Sequence, residues 1–120
     1  MATFTKILLS GSTGGRPIKV AASGTPGTTI HTTQASSGVI DEVWLYATNT
    51  SAASVNLTIE LGGTTSPDDQ IIVAIPSKSG LSLILAGCVL TGDGSSGRTI
   101  RAFGGSANNI NLVGYVNRIS

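Results

Sequence analysis

The sequence predicts an all-β protein: one antiparallel β-sandwich domain, jelly-roll-like, with about eight short strands. Three observations predict it. The stretch from Gly38 to Gly63, GVIDEVWLYATNTSAASVNLTIELGG, holds two runs that alternate apolar and polar side chains. A period of two marks a strand, whose successive side chains leave opposite faces of the pleat. No window of the chain sustains a helical period. Gly and Pro clusters interrupt it at the spacing of short strands in sandwiches and jelly rolls.

Each element follows from local residue chemistry. Thr3 to Ser10 reads as the first strand, and residues 1–10 are a candidate arm, because an end strand can add to a neighbour's sheet edge. After a loop from Gly11 to Gly15, Pro17 to Ala22 places Ile18, Val20 and Ala22 on one face. Ser23 to Gly27 is a turn around Pro26-Gly27. Thr28 to Thr33 is rich in β-branched residues, which favour extended pairing.

A loop from Gln34 to Gly38 leads into the two alternating runs. In the first, Val43, Leu45 and Ala47 oppose Glu42, Trp44, Tyr46 and Thr48. In the second, Val55, Leu57, Ile59 and Leu61 oppose Asn56, Thr58 and Glu60. The pair reads as an antiparallel hairpin with one dry face. Gly62 to Asp69 is a turn set by Pro67 and the Asp pair. Gln70 to Ile75 is a short apolar strand, and Leu81 to Leu90 looks like the most buried one. Thr91 to Gly97 is a Gly-rich loop, Arg98 to Phe103 alternates again, and Ile110 to Ile119 is the last strand.

Composition narrows the partners. Of the 120 residues 40% are hydrophobic and only 11% charged, with a net charge of +1, against about 25% charged in typical soluble domains. So few charges leave a lone monomer with little colloidal protection and point toward an assembly. The seven Lys and Arg are scattered, so no basic stripe exists to neutralise phosphates, and nucleic acid is not expected as a direct partner. Neither a signal h-region nor an apolar run of membrane-spanning length is visible, so a soluble protein made inside the cell is expected. The one cysteine, Cys88, lies in the apolar run LSLILAGCVL and reads as a small buried hydrophobe.

No constellation carries chemistry. Gly92 to Gly97 matches GxGxxG, but RTIRAF follows where a helix would have to begin. His31, the only histidine, reads as a strand residue with no part in catalysis and too few neighbours for a metal site. Glu42 and Glu60 would lie on opposing hairpin strands, yet read as solvated polar positions and not as a glycosidase pair. Asp68-Asp69 reads as a turn motif. No catalytic residue, metal or cofactor is expected.

Contact is the remaining role. If the aliphatic face is core, Trp44 and Tyr46 point outward, and such aromatics are enriched at interfaces. The opposite assignment, aromatics inward, is the alternative; the aliphatic face of the following strand favours the first. Phe4, Ile7 and Leu9 of the candidate arm join Trp44 and Tyr46 as expected interface residues.

Three segments carry a resemblance: TFTKILLSGSTGGRPIKVA, DEVWLYATNTSAASVNLTIELGGTTSPDD and GYVNRI. Together they resemble small virion structural proteins of tailed bacteriophages. The resemblance implies a non-enzymatic β-sandwich subunit of the virion, made in the host cytoplasm. Taken with the low charge, the strand-rich pattern and the lack of a catalytic set, it leads to the expectation of a capsid decoration (cement) protein, a homo-oligomer with trimers favoured, bridging major capsid proteins or other virion proteins. A tail, neck or fibre-associated subunit is the alternative, and a carbohydrate-binding β-sandwich the second.

Overall fold

The computed structural model describes residues 2–120, and Met1 of the candidate arm lies outside them. Nine strands run in chain order: β1 (Phe4–Leu8), β2 (Ile18–Lys19), β3 (Thr28–Thr32), β4 (Ile40–Asn49), β5 (Val55–Leu61), β6 (Gln70–Ile75), β7 (Ser82–Thr91), β8 (Thr99–Gly104) and β9 (Ile110–Ile119). They form two antiparallel sheets. One has the order β1-β9-β4-β7, with β2 extending the β1 edge alongside β9; the other has the order β3-β8-β5-β6.

The pairing is nested. β1 pairs with β9, β3 with β8, β4 with β7 and β5 with β6. A long antiparallel ribbon of this kind, folded so that alternate pairs fall in opposite sheets, is a jelly roll. The predicted sandwich is therefore the observed one, with β2 as the strand beyond eight.

The nesting overturns one expectation. β4 and β5 do not form a hairpin; they lie in different sheets. The polar patch between them crosses from one sheet to the other, and Asn49 holds the crossing. Its buried amide donates to the carbonyls of Ala53 and Ile75 at 2.8 and 2.9 Å and accepts from the amide and hydroxyl of Ser51. The aliphatic faces were nevertheless read correctly. Val43, Leu45 and Ala47 are buried from one sheet, and Val55, Leu57 and Ile59 from the other. With Ile30, Leu85, Ile100 and Leu112 they form one core, and each buried Leu or Ile contributes about 1.5–3 kcal/mol.

Two further expectations change. β7, which looked the most buried, is an edge strand pairing only with β4, and Leu83 and Val89 are exposed on it. Leu85 points into the core, and Cys88 and Leu90 pack against it. The register shifts at Val43/Trp44 and at Leu45/Tyr46, so two bulges break the strand's alternation. One bulge is Gly87, whose φ of 78° suits glycine.

The candidate arm is the second change. β1 is a strand of its own sheet, in register with β9 from Phe4↔Ile119 to Leu8↔Tyr115. The chain beyond it is pinned to the other sheet, where the Gly11 amide donates to Ile30 O at 2.8 Å. Leu9 is only 2% exposed and belongs to the core, and Ile7 packs against that core. Alternation along β1 turns both toward the core and sends Phe4, Lys6 and Leu8 outward.

Candidate functional site

The outward positions of β1, β9, β4 and β7 make a broad apolar face. Strand register stacks its rows: Phe4–Ile119–Ile40, then Lys6–Asn117–Glu42–Val89, then Leu8–Tyr115–Trp44–Ala86. Tyr46 follows between Val113 and Leu83. Phe4 is 71% exposed, Val89 59% and Leu8 54%, and Leu83 and Ile40 are exposed too. On these four strands the outward positions carry only two charges, Lys6 and Glu42.

The centre of the face is preorganised. Trp44 and Tyr115 stack with ring centroids 6.3 Å apart and planes 12° from parallel. The Trp44 Nε1–H donates to Glu42 at 2.8 Å, and the Asn117 amide donates to the same carboxylate at 3.1 Å. These two bonds, from Trp44 first and Asn117 second, hold the Glu42 carboxyl below the usual carboxylate range against a smaller opposing effect of burial. Lys6 Nζ sits 4.8 Å from the Tyr115 ring centroid, a cation–π contact. The indole also covers Gly87: a Cβ there would meet Trp44 Cζ2 at 3.2 Å.

Of the five expected interface residues, Phe4, Trp44 and Tyr46 come together on this face, Trp44 and Tyr46 being half-buried. Tyr115, Leu8 and Leu83 stand on the same face. Alternation along Ile110 to Ile119 already put Tyr115 opposite the aliphatic side. Only the register with β4, invisible in one sequence, sets it beside Trp44.

A second cluster lies between the sheets. His31 and Asp41 are both fully buried, and His31 Nε2 lies 2.7 Å from Asp41 Oδ2. Arg118 donates to the same carboxylate through Nε and Nη2 at 2.7 and 2.8 Å. The Ser10 amide donates to His31 Nδ1 at 3.0 Å, so Nδ1 is unprotonated and Nε2–H faces Asp41. Burial pushes the Asp41 carboxyl up, but the bonds from Arg118 and His31 outweigh it and hold the carboxyl below its ordinary value.

His–Asp pairs of this kind orient a base in hydrolases, where the second ring nitrogen must face a nucleophile. Here that nitrogen is occupied by a main-chain amide. The cluster is a tie that joins β3 of one sheet to β4 and β9 of the other. Its signal was in the sequence: Asp41 and Arg118 share the inward parity of Val43 and Val116.

Glu60, expected on a solvated face, is fully buried. It accepts from the Gly27 amide at 2.7 Å and the Thr25 hydroxyl at 2.6 Å, bracing the turn before β3. Glu42 stands on the outer face of the other sheet, so the two carboxylates form no pair. Asp93 accepts from the amides of Ser96 and Ser95, which lower its carboxyl's pKa, and β8 follows the Gly-rich loop as predicted. Among the described residues no three potential ligands gather to hold a metal ion. Nor is any helix there long and apolar enough to cross a membrane.

The class defined by fold and site is a jelly-roll sandwich with one apolar, aromatic-centred sheet face. No protein-family model matches the chain, and no curated protein sequence does.

Proposed function

We propose that this protein is a non-enzymatic structural subunit of a bacteriophage virion, a capsid decoration (cement) protein that stabilises the head by bridging neighbouring subunits. One observation carries the reading: the outer face of the β1-β9-β4-β7 sheet exposes Phe4, Leu8, Ile40, Leu83 and Val89 around the Trp44–Tyr115 pair, with one polar row, Lys6–Asn117–Glu42, crossing it. Exposed large apolar side chains gathered on one face mark interaction sites. The fixed Trp44–Tyr115 pair at its centre suits an interface anchor, because rigid aromatics lose little entropy on binding. The virion assignment itself rests on the sequence resemblance; the face supplies the means of contact.

A tail or neck subunit would use the same face, and localisation separates the two. Sugar recognition through Trp44 and Tyr46 is less favoured, because Trp44 already stacks on Tyr115 and both Trp44 and Tyr46 are half-buried. The direct test adds purified protein to particles stripped of it. Cosedimentation with heads and restored resistance to heat-induced DNA release support the reading. Protein that stays in the supernatant overturns it.

A further inference from the structure

Of the three charges on the face, Lys6 and Glu42 are opposite in sign and occupy one row, and Lys19 lies on β2. Lys6 on β1 and Glu42 on β4 flank Asn117 on β9, one strand to either side. A two-fold axis parallel to the strands, lying over β9 between two stacked copies of the face, exchanges β1 and β4. Each Lys6 then faces the partner's Glu42, each Leu8 faces the partner's Trp44, and each Phe4 faces the partner's Ile40. Lys19, on β2 in the row of Asn111 and Thr48, meets Thr48 and no like charge. We propose that the occupant of this face is a second copy of this chain, seated face to face as an isologous dimer through paired Lys6–Glu42 contacts.

This rests on the reading of the sheet face as the protein's contact surface, and it names the partner. An isologous interface requires a self-complementary patch, and the row arrangement supplies one. Stacked sheets sit about 10 Å apart, within the combined reach of a Lys and a Glu side chain. The ten residues each of β9 and β4, with the five of β1 and two of β2 beside them, cover about 430 Å². Two such faces bury about 850 Å², in the range of weak, transient contacts. The dimer is therefore expected to be weak and concentration-dependent. β7 lies outside the overlap and stays open, with Leu83 and Val89, for the capsid.

Charge reversal tests this directly. In Lys6→Glu the two contacts become Glu–Glu, and in Glu42→Lys they become Lys–Lys, so each variant alone is expected to lose dimerisation at least tenfold by native mass spectrometry and sedimentation. Mixed, the two variants make both contacts attractive and are expected to form the heterodimer in preference to either homodimer. The double variant Lys6→Glu/Glu42→Lys is expected to regain the homodimer. A wild-type monomer at all concentrations, a trimer, or single variants that dimerise like wild type would each overturn the pairing. Particle binding by a strictly monomeric or trimeric wild type would do so while leaving the virion reading intact; a dimer that binds no particle would support the pairing and sink that reading.

Discussion

Trp44 on β4 stacks on Tyr115 of β9, and Glu42 holds the indole in place by accepting its Nε1–H at 2.8 Å. The pair sits at the centre of the exposed sheet face, so its aromatic area is available to a partner without rearrangement. Trp44→Ala is expected to weaken self-association or particle attachment by about tenfold to a hundredfold, the range of an interface anchor. Because the ring is half-buried, it also lowers stability, by about 1–2 kcal/mol. Sedimentation and urea unfolding separate the two effects. Unchanged attachment would remove Trp44 from the contact surface.

Phe4 and Leu9 are five residues apart and do opposite jobs. Leu9→Ala opens the core and is expected to cost about 2–5 kcal/mol in urea unfolding. Phe4→Ser changes an outward side chain, so stability is expected to stay within about 0.5 kcal/mol while association weakens. Equal destabilisation by both would contradict the inward and outward assignment along β1.

The buried tie makes stability depend on Asp41. Asp41→Asn leaves Arg118 without its carboxylate and is expected to cost about 3 kcal/mol, lowering the melting temperature by roughly 10 °C. The acid dependence has a definite sign. The Asp41 carboxyl is held below its ordinary value in the folded protein, so the folded state binds fewer protons than the unfolded one. The stabilisation is complete above about pH 5 and is lost as pH falls through the carboxylate range toward the folded value. The stability gap between wild type and Asp41→Asn in denaturant titrations is expected to narrow as pH falls from about 6 toward 3; a gap that stays constant would contradict the tie.

Gly87 tests the bulge beneath the indole. Its φ is 78°, and a Cβ would press on Trp44 at 3.2 Å. Gly87→Val is expected to destabilise by about 1–2 kcal/mol or more and to shift the fluorescence of Trp44, the only tryptophan. An unshifted spectrum at wild-type stability would contradict this packing.

Much of the fold was legible because alternation reports burial directly. Val43, Leu45 and Ala47 were assigned to the dry face, as were Val55, Leu57 and Ile59, and all are buried. Pairing was not legible. Adjacent alternating runs suggest a hairpin, but whether a short polar connection turns back or crosses between sheets depends on tertiary contacts such as the Asn49 bond to Ile75 O. The apolar content of β7 suggested a buried strand, whereas its place at an edge and its two bulges put half of it outside. The contact face was half legible: Trp44 and Tyr46 followed from parity, but Tyr115, Leu8 and Leu83 join them only through register. The Asp41 tie was half legible: parity places Asp41 and Arg118 inward, but their pairing with each other and with His31 is set by strand register and by the packing of the two sheets.

The central claim is that this chain works by contact on a phage particle. Cryo-electron microscopy of particles that carry it tests this most directly. The account predicts jelly-roll density on the outside of the head, over junctions between capsid subunits, with the outer face of the β1-β9-β4-β7 sheet covered by protein. Density confined to the tail, or a chain absent from the particle, would contradict it.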